Sequence, residues 1–209
     1  MFIDRAGWPF VLGALVLALA AGWWLGRNGA VPFLILAAFF LFFFRDPDRR
    51  PPAGTGLVVS PADGRVMVAG GPPEAGAPAG DWRVITIFLS PIDVHVNRTP
   101  VDGTVTHVEF HPGKFLPAYK PEAGSLNEWS EVWFDHAGTA IVCRQIVGIL
   151  ARRIVTRLEV GDTVSRGARF GVMKFGSRID LFLPPSAHIA VTRGDRVVAG
   201  ETVLARLEP

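Results

Sequence analysis

The chain has 209 residues, a single cysteine and a formal net charge of +2. That length holds one ordinary domain core plus an appendage. Cys143 alone excludes an internal disulfide or a cysteine metal cluster. The charge is too mild for a nucleic-acid partner, and no basic run with interleaved aromatics appears.

Residues 1–44 hold most of the uninterrupted hydrophobicity. "WPFVLGALVLALAAGWWLG" (8–26) carries no charge and is long enough for a bilayer span of ~20 residues. "VPFLILAAFFLFFF" (31–44) is shorter, about 22 Å as a helix with Ala30 included. It reads as a short second span or as a helix that enters one leaflet and turns back. A cleaved signal peptide fits poorly, because another apolar run follows at once. Trp8, Trp23 and Trp24 fall where interfacial aromatics belong. Arg45, Arg49 and Arg50 follow the second run, against Arg27 alone between the runs. The positive-inside rule then places the large domain on the cytoplasmic side, with the connector outside.

A proline- and glycine-rich linker, "RDPDRRPPAGTG" (45–56), follows. After it, short β-branched runs dominate: 56–60, 64–70, 82–90, 93–97 and 103–110. "GPPEAGAPAGD" (71–81) reads as a solvated loop. Residues 131–150 read as a hairpin turning at "DHAG", with Cys143 packed in its apolar run. Residues 151–160 fit helix and strand equally. "ADGRV" (62–66) is echoed by "VDGTV" (101–105), and "VGDTVSRG" (160–167) by "RGDRVVAG" (193–200). These Gly-Asp turns resemble those of lipoyl- and biotinyl-type β-sandwiches. Lys114, Lys120 and Lys174, the only lysines, are not set on such turns, so no carrier function follows. The expected fold is α+β, mainly β. A hydrophobic helical hairpin (1–44) and a linker (45–56) precede a lipoyl-like, barrel-sandwich domain (57–209).

Near the C-terminus, "MKFGSRIDLFLPP" (173–185) reads as one strand. Met173, Phe175, Ile179, Leu181 and Leu183 share a face, and Lys174, Gly176, Arg178 and Asp180 take the other. Ser177 is a lone hydroxyl on the apolar face. The plain account is a serine tolerated beside a glycine kink. It is not the G-x-S-x-G elbow of hydrolases. His95, in "SPIDVHVNR", shares a strand face with Asp93 and Asn97. Asp63, in "PADG", is a natural turn residue. His107, His111, His136 and His188 are scattered without metal-ligand spacing.

Taken in order, "FFFRDPDR" (42–49), "SPADG" (60–64), "SPIDVHVNR" (90–98), "HPGKFLPAY" (111–119), "NEW" (127–129), "QIVGILARRIV" (145–155) and "KFGSRID" (174–180) resemble the short bacterial form of phosphatidylserine decarboxylase. The resemblance covers nearly the whole chain. It implies a proenzyme that cuts itself between Gly176 and Ser177 into fragments 1–176 and 177–209. Ser177 would become a pyruvoyl group, a covalent cofactor that dispenses with metal and nucleotide. That group would form a Schiff base with phosphatidylserine and accept electrons as CO2 leaves. His95 would serve as base, with Asp63 orienting it. Longer members carry H-x-x-H where this chain has Arg98 in the second position. The resemblance also implies a homodimer, at a bacterial inner membrane. Lys114, Phe115 and Tyr119, in a loop at 111–129, and Arg178 are candidate substrate contacts. Two other functions fit the residues alone: a membrane-anchored β-sandwich adaptor, and a serine hydrolase using Asp63, His95 and Ser177.

Overall fold

The computed structural model describes residues 2–74, 76–149, 154–174 and 177–208. The chain divides into two compact units, Met1–Asp48 and Arg49–Pro209, so the division falls within the 45–56 stretch.

In the first unit, Asp4 accepts a hydrogen bond from Ala6 N at 2.9 Å and starts a short 3-10 turn. Helix α1 (Trp8–Leu25) follows, with Pro9 in its first turn, where a missing N–H costs nothing. It stops at Gly26, whose φ of +75° breaks the helix. Helix α2 (Arg27–Phe43) then runs back. Phe10 packs against Phe40 and Phe44, each at 5.4 Å between ring centroids. Strand β1 (Phe2–Ile3) pairs with β2 (Arg45–Asp46) and ties the open end of this hairpin. The outer surface remains apolar: Leu19, Trp23 and Trp24 are all largely exposed. A helix apolar all round needs an apolar solvent. Arg5–Leu25 is long and apolar enough to cross a membrane, and α2 is shorter.

The second unit contains β3 (Leu57–Val59), β4 (Gly64–Gly71), β5 (Arg83–Leu89), β6 (Val96–Arg98), β7 (Gly103–His111), α3 (Ala123–Leu126), β8 (Trp129–His136) and β9 (Thr139–Val147). β10 (Ile154–Thr156), β11 (Thr163–Val164), β12 (Arg169–Met173), β13 (Ser177–Leu183), β14 (His188–Ile189), β15 (Arg196–Val197) and β16 (Val203–Arg206) complete it. An eight-stranded sheet has the order β11-β7-β8-β9-β13-β5-β4-β15, and two three-stranded sheets have the orders β10-β12-β6 and β14-β16-β3. The large sheet ends at two different strands, so it is open and forms no closed barrel. Ile85, Ile87 and Leu89 alternate toward the core with Ile179, Leu181 and Leu183, where they meet Phe134 and Phe170. The hairpin expected at "DHAG" is present. Ala137 (φ 51°) and Gly138 (φ 84°) supply the two positive φ values that a tight hairpin turn requires.

The sequence echoes have a structural counterpart. Gly64 pairs with Val197 as Gly103 pairs with Val164. Asp63 Oδ1 accepts from Ala199 N at 2.7 Å, and Asp102 Oδ1 accepts from Arg166 N at 2.9 Å. A Cβ on Gly64 would run into the carbonyl of Phe88, and one on Gly103 into that of Asp135. The same strand start is thus built twice, each time with glycine where a second backbone presses close.

Two expectations need correction. Residues 173–185 are not one strand: Met173 ends β12 in a small sheet, and Ser177 opens β13 in the large one. Alternation alone cannot reveal a change of sheet. The 71–81 segment is also not merely solvated. Ala77 packs against Trp82, Val84, Val142 and Phe182, and the Gly76 carbonyl accepts from Arg144. This segment covers the second face of the large sheet. Arg178 and Asp180, read as the outward residues of their strand, are therefore buried.

Candidate active site

Ser177 begins a strand held on both sides, with Leu89 of β5 and Val147 of β9 as its register partners. Its side chain is fully buried, and its Oγ has no hydrogen-bond partner among the described residues. An unpaired buried hydroxyl costs roughly 1–3 kcal/mol, so this serine is not there for stability. On the other side of the short segment that precedes it, Met173 N donates to the His95 carbonyl at 3.1 Å. Four residues of extended chain span at most about 14 Å. His95 and Ser177 are thereby brought to the two ends of one short crossing between sheets. Gly176, the other half of the expected cleavage pair, lies outside the described residues.

His95 is fully buried just before β6. A tight turn sets its position: Asp93 N donates to the Ser90 carbonyl, and Asp93 Oδ2 accepts from Ser90 N at 2.8 Å. His95 Nδ1 lies 2.9 Å from the Asp93 carbonyl. A carbonyl only accepts, so Nδ1 carries the proton, and in the neutral ring Nε2 holds the lone pair. The sequence reading missed this backbone contact, which no residue type signals.

Asp63 is mostly buried. Its Oδ2 accepts from Arg49 Nη2 at 2.8 Å, and its Oδ1 from Ala199 N. Its turn backs onto β6, because Arg98 N donates to the Pro61 carbonyl. Arg98, standing where longer relatives have a second histidine, sends Nη1 to the Gly167 carbonyl at 2.9 Å.

The 111–129 loop is clamped beside Ser177 by Asn127. This buried amide accepts from Leu116 N at 2.9 Å and donates to the Leu116 and Val147 carbonyls, each at 2.8 Å. Val147 is the register partner of Ser177, so the clamp fixes the loop to the reactive end of the sheet. Lys114, Phe115 and Tyr119 are exposed on this loop. Ile92 and Ile149 are exposed where β5 and β9 run out at the same end. The result is an apolar rim around the Ser177 end of the domain.

Arg178 points to the opposite face from Ser177. Its Nε and Nη2 form a fork on Asp180, at 2.7 and 2.8 Å, and Nη2 also reaches Glu74 at 2.8 Å. Asp180 accepts in addition from Thr86 Oγ1 at 2.8 Å. Its guanidinium is thus shared between Asp180 and Glu74. Cys143 sits fully buried in β9, and burial, with Asp180 and Glu131 adding to it, pushes its thiol pKa far up. It has no nucleophilic role.

The phosphatidylserine decarboxylase family profile matches residues 36–205. A phosphatidylserine decarboxylase proenzyme of Symbiobacterium thermophilum is 48% identical over 210 aligned residues, covering 98% of this chain and 95% of its own. The proenzyme of Salinibacter ruber is 48% identical, covering 88% of this chain and 83% of its own. That of Nitrosomonas europaea is 41% identical, with 97% and 94% covered.

Proposed function

The chain belongs to the phosphatidylserine decarboxylase family, and from that premise we propose that it cuts itself between Gly176 and Ser177 and then converts phosphatidylserine to phosphatidylethanolamine and CO2. The observation that carries this reading is Ser177 itself. A buried hydroxyl with no partner opens a central strand, one short crossing away from a buried histidine.

In the precursor, Ser177 Oγ attacks the Gly176 carbonyl carbon. His95 Nε2 takes the hydroxyl proton, and the Asp93 carbonyl keeps the ring turned for that task. Asp63, in the turn behind β6, is the carboxylate that steadies the resulting imidazolium. The C–N bond breaks, the serine nitrogen gains a proton, and the amide becomes an ester. Loss of the Ser177 α-proton then expels the Gly176 carboxylate and leaves dehydroalanine. Tautomerisation, addition of water and loss of ammonia leave a ketone at position 177. The fully buried setting of Ser177 fits such a group, because water is kept from the ester until elimination. When formed, the pyruvoyl carbonyl takes up the substrate amine and holds the electron pair left by CO2.

The remaining parts bring the lipid to this point. The apolar first unit holds the chain at the membrane, with Arg45, Arg49 and Arg50 marking its cytoplasmic side. Lys114, Phe115 and Tyr119 meet the headgroup and upper acyl chains, sparing the lipid about 0.8 kcal/mol for each CH2 kept out of water. Arg178 fixes the strand behind the reacting residue. The enzyme works as a homodimer of such processed chains. Mass spectrometry of purified protein tests the reading: a fragment 177–209 with a pyruvoyl start is expected, and Ser177→Ala abolishes it. Active protein with an intact 176–177 peptide refutes it.

A further inference from the structure

Ser177 Oγ is not the sole buried side-chain atom at this end of the domain without a partner. Asn97 is fully buried, and its Nδ2 makes no hydrogen bond among the described residues. Its orientation is set from the far side. Asn97 Oδ1 accepts from Gln145 Nε2 at 2.7 Å, Gln145 Oε1 accepts from Thr156 Oγ1 at 2.9 Å, and Thr156 Oγ1 lies 2.8 Å from Ser130 Oγ. The relay leaves Asn97 with its oxygen engaged and its N–H groups to spare. Gly171 makes room for it: a Cβ there would sit 3.0 Å from Gln145 Nε2. Leaving an amide donor buried and unpaired costs roughly 1–3 kcal/mol, and a group held so against stability calls for a reason.

The topology supplies one. Asn97 is two residues after His95, on the same side of the chain. Gln145 pairs with Ile179, two residues along β13 from Ser177, and residues of that spacing share a face. The Gln145–Asn97 bond therefore joins the two sheets on the Ser177 face of β13, from a position about one side-chain repeat (~7 Å) along the sheet from Ser177 and one strand (~4.8 Å) across. A buried histidine just before β6 and a buried amide donor on β6 thus lie toward the Ser177 face of β13.

Building on the proposed self-cleavage, we propose that Asn97 Nδ2 is the oxyanion donor for the acyl shift. As the Oγ–C bond forms, the carbonyl π pair moves onto the Gly176 oxygen, and the hydroxyl proton passes to His95. The Asn97 amide receives the new negative charge. Collapse returns the pair, breaks the C–N bond and protonates the serine nitrogen. A donor fixed before the reaction costs no reorganisation when the charge appears.

The test follows appearance of fragment 177–209 after cell-free synthesis of the full chain in lipid nanodiscs. Asn97→Leu keeps the shape and removes the donor. It is expected to slow scission about 100- to 1000-fold, the usual loss for one oxyanion donor. In a Ser177→Ala background, Asn97→Leu removes one unpaired donor but also the Oδ1 to which Gln145 Nε2 donates, so the chain is expected to keep a cooperative melting transition at a temperature no higher than that of Ser177→Ala alone. Asn97→Asp, also of the same shape, is expected to slow scission likewise. Neutral hydroxylamine, which splits esters, should release no fragment from either variant, because the block precedes the ester. Scission within threefold of wild type, slowed variants that no longer melt cooperatively in the Ser177→Ala background, or a hydroxylamine-cleavable ester accumulating in the variants would each overturn the assignment. If the unaltered chain is never cut, the self-cleavage reading fails instead.

Discussion

Replacing Arg178 with Met tests the fork behind the reactive serine. Arg178 and Asp180 have side chains only 3% and 5% exposed, and they meet through two bonds at 2.7 and 2.8 Å. Removing the cation leaves Asp180 buried with Thr86 Oγ1 as its remaining described donor. Breaking one partner of a buried pair costs roughly 3–5 kcal/mol. Glu74, whose side chain is 35% exposed, turns to water and adds little. For a domain of this size each kcal/mol is worth about 2–4 °C, so the melting temperature should fall by about 6–20 °C. The measurement belongs in Ser177→Ala protein, where scission does not confuse the reading. Adding Asp180→Leu removes the stranded charge, and replacing a buried pair by apolar groups is close to neutral. The double variant should therefore recover at least ~2 kcal/mol of the loss. A loss under ~1 kcal/mol for Arg178→Met, or strict additivity in the double variant, refutes the argument.

Three further outcomes are expected. Asp63→Asn should slow scission at least tenfold while Asp102→Asn does not, because the two aspartates cap equivalent turns and only Asp63 is the proposed partner of His95; equal effects would reduce Asp63 to a turn residue. Asn127→Ala removes three hydrogen bonds that pin the 111–129 loop to Val147. It should cost about 2–3 kcal/mol at ~1 kcal/mol each and raise KM on phosphatidylserine vesicles more than it lowers kcat. The Cys143 thiol, pushed up by burial and by Asp180 and Glu131, should resist iodoacetamide at pH 8 until the chain is denatured. The folded state keeps that proton when the unfolded state loses it, so stability should decline as pH rises past the ordinary thiol value of about 8.5.

The apolar N-terminal pair, the antiparallel strands and the "DHAG" hairpin were legible because each depends on local chemistry: continuous apolarity, β-branched alternation, and glycine where φ must be positive. The doubled Gly-Asp turns were legible as repeats. Their meaning, two equivalent strand starts, required the register of Gly64 with Val197 and Gly103 with Val164. Alternation misled at 173–185, since parity survives when a chain leaves one sheet and enters another. It misled again at Arg178, where burial comes from a covering segment more than 90 residues earlier in the chain. Ser177 and His95 stood out by type and motif. Asn97, Gln145 and Asn127 did not, because a buried amide announces itself only through the partners it has or lacks.

The change of sheet between Met173 and Ser177 bears directly on self-cleavage. A peptide inside a paired strand is held flat by its ladder bonds, and cutting it would free two strand ends. Here β12 stays bound to β6 and β10, while β13 stays bound along its length to β5 and β9. The proposed scission between Gly176 and Ser177 would leave both of these sets of pairings in place. The new chain end starts in a central strand, with Arg178 locked by Asp180 on the next turn of the pleat. On the proposed self-cleavage, the frame that holds residue 177 would already be built before any bond is broken, and the same buried position would serve first a nucleophile and then a carbonyl.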